Sequence, residues 1–173
     1  ISAKLIILQM EIPIDIVEYI INLASKHNTY IILNAAPAYE IREEVLAKVN
    51  CLVVNETEAS FYLNKEINNF KSSEENCEEL YKKIKDLLII TLGENGSLLY
   101  DGKEKLHIKA KKVKVVETTG AGDSFIGAFA YKLLNDLPYK EAAEFASLVS
   151  AVTVTKVGAQ DSMPTYEEVN GLF

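Results

Sequence analysis

The chain has 173 residues, 49% of them hydrophobic, which is enough for one sizeable core and fits a single domain. Its 18 basic and 25 acidic residues leave a net charge of −7, which argues against a nucleic-acid-binding surface. No apolar run approaches ~20 residues and no signal peptide is visible, so membrane insertion and secretion are not expected. Cys51 lies in an apolar run and Cys77 in a polar one; they form no metal or redox motif and fit free thiols in a reducing cytoplasm, where the sequons Asn55-Glu56-Thr57 and Asn95-Gly96-Ser97 are accidental.

Lys4 to Met10 is a continuous apolar run of the kind that forms a strand buried on both faces. Ile14 to Ser25 follows with Ile16, Ile20, Ile21 and Ala24 at helical spacing. The pattern then repeats: Tyr30 to Leu33 as strand, Tyr39 to Val49 as a short helical crossover, Cys51 to Val54 as strand, and Glu56 to Leu63 as helix. A helix from Ser72 to Lys85 is predicted to open on a capping box between Ser72 and Glu75, and Leu87 to Thr91 is the next strand. Such alternation implies a parallel sheet covered by helices. Ser97 to Tyr100 and Lys105 to Ile108, joined through Asp101-Gly102, read as an antiparallel edge hairpin. Four lysines between Lys109 and Lys114, with Val113 and Val115, read as a solvated strand edge, and the rest is helical: Gly122 to Asn135, Tyr139 to Val157 and Tyr166 to Leu172.

The most informative stretch is Thr118-Thr119-Gly120-Ala121-Gly122-Asp123, where small residues and a carboxylate stand at the start of an apolar helix. The first N–H groups of a helix lack intrahelical partners, and the positive end of its dipole favours an anion. Glycine at 120 and 122 lets the backbone come close to that anion. A carboxylate beside a phosphate is repelled unless it has chemical work to do, and acting as base for a hydroxyl that attacks a phosphoryl group is such work. Asp123 could equally cap the helix, and on the turn alone the two readings balance. The spacing Gly120-x-Gly122-x-x-x-x-Gly127 excludes the dinucleotide fingerprint, and no Gly-x-x-x-x-Gly-Lys-Ser/Thr occurs.

The turn resembles the C-terminal signature of the ribokinase family of sugar kinases, and five further blocks follow that family's order: Leu8-Gln9-Met10-Glu11, Leu33-Asn34-Ala35-Ala36-Pro37-Ala38, Asn55-Glu56-Thr57-Glu58-Ala59, Thr91-Leu92-Gly93-Glu94-Asn95-Gly96 and Lys156-Val157-Gly158-Ala159-Gln160. The resemblance implies an α/β fold, a ribokinase-like three-layer sandwich of mostly parallel sheet with an antiparallel edge hairpin. Residues 1–173 would be its C-terminal, ATP-binding and catalytic portion, without the sugar-binding N-terminal part and the lid through which a homodimer could form. Its implied activity is transfer of the ATP γ-phosphate to the 5-hydroxyl of D-ribose, with Asp123 as base and Gly120, Ala121 and Gly122 as the anion hole; this chain alone would be inactive. Alternatives are a kinase of the same family acting on fructose, a nucleoside or a sugar phosphate, and a module that binds nucleotide without catalysis.

The other blocks have plainer readings that the resemblance displaces. Asn55 and Glu58 have capping-box spacing, yet matching residues in the family help hold ATP phosphates and Mg²⁺, Glu58 through water. Thr91, Gly93 and Gly96 would be a strand end and a turn, but the resemblance lays them against the nucleotide, with Ser147 near adenine. Glu11 would be a solvated strand-end carboxylate, and its family counterpart borders the sugar. Glu117, Thr119, Thr153, Lys156, Gly158 and Ser162 resemble a site for a monovalent cation, K⁺, although the family usually has Asp where Glu117 stands. His27 and His107 sit in polar surroundings away from every motif and are assigned to the surface.

Overall fold

The computed structural model describes residues 2–172, which form two compact units that meet in sequence at His107 and Ile108. The first unit is built on a sheet of order β1-β2-β3-β4-β5-β6. Strands β1 (Leu5–Gln9), β2 (Tyr30–Asn34), β3 (Cys51–Asn55) and β4 (Leu87–Thr91) run parallel, and β5 (Ser97–Tyr100) returns antiparallel beside β4. The last strand, β6 (Lys105–Ile108), is β5's neighbour. Ile31, Leu33, Leu52, Val54, Leu88 and Ile90 alternate onto one face and pack with Val17, Ile21, Ala59 and Leu80 from the helices. The alternate residues Ile32, Cys51, Val53, Leu87 and Ile89 are buried as well, which is why these strands read as unbroken apolar runs.

Helix α1 (Ile14–Lys26) crosses from β1 to β2, the single turn α2 (Glu43–Leu46) from β2 to β3, and α3 (Glu56–Leu63) with α4 (Phe70–Tyr81) from β3 to β4. The crossover expected over Tyr39 to Val49 is thus mostly irregular chain, pinned by Arg42. Arg42 donates its backbone N–H to Glu18 Oε1 at 3.0 Å and its Nε–H to Oε2 at 2.7 Å. Helix α4 starts earlier than its Ser72-Glu75 spacing suggests, because Asn69 takes the cap: its side chain accepts from Ser72 N–H while Ser72 Oγ accepts from Asn69 N–H. The hairpin turn is as expected, with Asp101 Oδ1 accepting from Lys103 and Glu104 N–H at 2.9 Å each. Gly102, at φ 86°, lies so close under Tyr81 that a Cβ would come within 2.5 Å of the ring hydroxyl. Residues 109–116 form no strand, so the expected strand edge of lysines is solvated coil instead.

The second unit contains α5 (Ala121–Leu134), α6 (Tyr139–Thr153) and α7 (Tyr166–Leu172). The first two form a helical hairpin through a short connection that begins at Asn135, and Phe129 of α5 packs with its ring centroid 6.5 Å from that of Tyr139. Val149, Val152 and Val169 tie α6 to α7. Although α5 is apolar in sequence, one of its faces is open, with Tyr131 54% and Leu134 47% exposed. Among the described residues no helix is long and apolar enough to cross a membrane, and both cysteines are free and buried.

Two predictions follow from these contacts. The Arg42 side chain holds Glu18 below its ordinary value of 4.5. A carboxylate with a lowered folded pKa contributes stability above its unfolded pKa and loses it as pH falls through the folded value. Glu18→Gln is therefore expected to lower the unfolding midpoint at pH 7 and to flatten its decline below about pH 4.5, as read by circular dichroism along a pH series. In β5, Ser97 Oγ is buried without a hydrogen-bond partner among the described residues. An unsatisfied buried polar group costs about 1–3 kcal/mol, so Ser97→Ala is expected to raise the thermal midpoint by a few degrees, and a drop would show that the hydroxyl has a partner.

Candidate active site

Parallel strands end on a common edge, and the register of the first unit brings the candidate residues there: Gln9 pairs with Asn34, and Asn55 with Thr91. Glu11 is exposed just past β1. Asn55 and Glu58 form a reciprocal cap on α3. Glu58 N–H donates to Asn55 Oδ1 at 2.9 Å, Asn55 N–H to Glu58 Oε2 at 2.8 Å, and Asn55 Nδ2–H to Glu58 Oε1 at 3.0 Å. Burial raises the Glu58 carboxyl pKa, and the hydrogen bonds from Asn55 oppose that shift. Both the capping geometry and a buried carboxylate at the ligand edge are thus present in one residue.

Beyond β4 the chain closes a tight turn, with Leu92 N–H donating to Gly96 O at 2.8 Å and Gly96 N–H to Gly93 O at 3.1 Å. Gly93 and Gly96 adopt φ 52° and 89°, a region that L side chains rarely enter. His107, assigned to the surface on its sequence context, donates Nε2–H to Asn95 O at 2.8 Å and stacks on Phe70 with centroids 4.1 Å apart. It braces this turn, a role the sequence hides because the pairing depends on β6 lying beside β5.

In the second unit the N-cap of α5 is Gly120, at φ 78°, and Asp123 stands exposed in the first helical turn. A Cβ at 120 would meet Ala159 O at 3.2 Å, so conformation and space both demand glycine. Ala121 N–H donates to Thr118 O at 3.2 Å, whereas Gly122 N–H has no partner among the described residues. Upstream of the turn, Glu117 Oε2 accepts from Gly158 N–H at 2.9 Å, and the Thr119 hydroxyl with Gly158 N–H holds the Glu117 carboxyl pKa below its ordinary value. Val154 O accepts from both Val116 and Glu117 N–H.

Downstream, α6 grips the same turn. Ser150 Oγ–H donates to Ala121 O at 3.1 Å, Ser124 Oγ–H to the same oxygen at 3.0 Å, and Thr153 Oγ1 lies 2.9 Å from Ser124 Oγ. Neither Ser124 nor Ser150 was singled out from the sequence; the available signal was Ser147, Ser150 and Thr153 at successive three-residue steps on a small-residue helix. Ser147 is half-buried one turn before Ser150. The hydroxyls of the fully buried Thr153 and Ser162 turn inward, the latter to Ala159 O at 2.7 Å, and Lys156 Nζ pairs with Glu168 at 2.7 Å. Of the residues singled out for a monovalent cation, Glu117 is thus the one carboxylate, and it lies just upstream of the turn.

A pocket of about 460 Å³ opens beside Asp123, lined mainly by apolar groups such as Gly127, Tyr131, Phe145, Met163 and Tyr166. Its polar lining comes from Asp123, Ser124, Thr165 and the hydroxyls of Tyr131 and Tyr166.

Comparison with known proteins agrees with these motifs. The model of the pfkB family carbohydrate kinases matches residues 1–166. A ribokinase of Schizosaccharomyces pombe is 36% identical over 99% of this chain, and a deoxyribokinase of Salmonella typhi is 33% identical over 98%. The solved structure of Arabidopsis thaliana ribokinase complexed with ribose and ATP superposes with a TM-score of 0.92 at 29% identity over 98% of this chain. The chain spans about half the length of these relatives: 55%, 56% and 55% respectively. On family match, identity and fold together, the chain belongs to the pfkB family of carbohydrate kinases, with ribokinase-like relatives throughout its length.

Proposed function

We propose that residues 1–173 are the nucleotide-binding and catalytic portion of a cytoplasmic kinase that transfers the ATP γ-phosphoryl group to the 5-hydroxyl of D-ribose, giving ribose 5-phosphate and ADP. The observation that carries this reading is Asp123 in the first turn of a helix whose Gly122 N–H has no partner among the described residues. The carboxylate would take the hydroxyl proton as the hydroxyl oxygen bonds to phosphorus and the bond to the ADP oxygen breaks. The N–H groups of the Gly120–Gly122 turn would stabilise the charge on the transferring group, chiefly through Gly122. Asn55, Thr91, Gly93 and Gly96, all of the first unit, would hold the nucleotide; Ser147, which belongs to α6 of the second unit, is assigned to the adenine side.

The residues present fit the metals that the family resemblance implies. Both Glu58 oxygens already accept from Asn55, and no cluster of three or more His, Cys, Asp or Glu exists among the described residues, so Mg²⁺ would be held by the phosphates with Glu58 acting through water. That ion neutralises phosphate charge when bound. Glu117 and neighbouring carbonyls form a hard, singly charged donor set of the kind suited to a monovalent cation.

Ribose is proposed over other acceptors because the ribokinase of Schizosaccharomyces pombe is slightly more similar than the deoxyribokinase of Salmonella typhi, 36% against 33% identity; deoxyribose is the second reading. The test is coupled ADP release by a polypeptide of the relatives' length that carries this chain, with Mg-ATP and ribose, deoxyribose, fructose or adenosine, in K⁺ and then Na⁺. Ribose-dependent release, faster in K⁺, is expected; ATP binding without release on any acceptor would reduce the chain to a nucleotide-binding module. Asp123→Ala is expected to lower kcat by at least ~10²-fold with little change in ATP affinity, and near-normal turnover would remove Asp123 from the role of base.

A further inference from the structure

The peptide unit between Ala121 and Gly122 is planar, so the Ala121 carbonyl and the Gly122 N–H are the two ends of one rigid group. The carbonyl end accepts from Ser150 at 3.1 Å and from Ser124 at 3.0 Å, and the N–H end has no partner among the described residues. We propose that Ser150, with Ser124, is a positioning residue for phosphoryl transfer: its hydroxyl sets the plane of the Ala121–Gly122 amide and polarises it, making Gly122 N–H a better aimed and stronger donor to a phosphoryl oxygen. This inference rests on the proposed role of the turn as an anion hole.

Two physical effects support it. Rotating the amide plane would move both its ends, and two hydroxyls from different places, one on α5 and one on α6, oppose that rotation together. Donors on a carbonyl also draw electron density through the amide and strengthen the hydrogen bond that its own N–H gives. Ser124 is 6% exposed and Thr153, which lies 2.9 Å from it, is fully buried, while Ser150 and Ala121 are half-buried, so it is the Ser124 side of the arrangement that is shielded from water. An anion hole depends on donors fixed before the charge develops, and this geometry supplies that fixing from behind the turn.

Ser150→Ala is a suitable probe, because alanine is the better helix former and its introduction does not weaken α6. The variant, Ser150→Thr and Asp123→Ala are compared by ADP release in a polypeptide of the relatives' length that carries this chain. Ser150→Ala is expected to lower kcat about fivefold at unchanged KM for ATP and sugar, the worth of one modest hydrogen bond, with the thermal midpoint preserved and kcat recovered in Ser150→Thr. In the 173-residue chain, the Gly122 amide resonance is expected to shift in Ser150→Ala and to return in Ser150→Thr. Full kcat and an unmoved Gly122 resonance in Ser150→Ala, beside an inactive Asp123→Ala, would overturn this inference and leave the proposed function standing. A raised KM at unchanged kcat would overturn it as well. Full activity in Asp123→Ala would instead bring down the proposed function itself.

Discussion

The structure depends above all on how the first turn of α5 is satisfied. A helix N-terminus leaves its leading N–H groups without internal acceptors, and in most proteins a side chain caps them. Here the cap is Gly120, which has no side chain to offer, and the neighbouring chain supplies the restraint instead. Glu117 reaches to Gly158, Val154 takes two N–H groups of the approach, and the hydroxyls of α6 and α5 hold the far side. The turn is held by what surrounds it, and one donor, Gly122 N–H, has no partner among the described residues. That combination, a restrained backbone with an unspent N–H, is the feature on which the proposed role of the turn rests.

The other unit reaches an ordered edge by a different route. Its strands are apolar on both sides, so the apolar pattern alone does not set the register, and the parallel pairing of Gln9 with Asn34 and of Asn55 with Thr91 brings the polar residues that end the runs to one edge. Polar residues then appear only where each run stops. The ligand-facing chemistry of such a sheet is written at the ends of its strands, since the interior has no room for it.

This explains which parts of the protein were legible in sequence. The strands, α3, the hairpin at Asp101-Gly102 and the glycine turn are set by local pattern, and their positions agree with the reading to within a residue or so. The boundaries that moved were decided by specific side chains: Asn69 outcompeted Ser72 as the cap of α4, and the stretch before β3 was fixed by the contact of Arg42 with Glu18 rather than by helical propensity. The lysine-rich segment had strand-like alternation but formed no ladder, because alternation alone provides no partner strand. The partners of Ser150 and His107 were hidden for a common reason. Each of these side chains acts on a backbone carbonyl more than ten residues away, and no local spacing encodes such a contact.

The reciprocal cap of Asn55 and Glu58 bears on how this protein can vary. Three hydrogen bonds join the two residues, so a change at either is felt at the other. Aspartate, serine or threonine at 55 would keep the cap only beside glutamate or glutamine at 58, and any other pairing loosens the start of α3. Each position can therefore change only within the set that its partner's cap allows, and the choice of side chains open at that strand end is narrowed by the needs of the helix behind it.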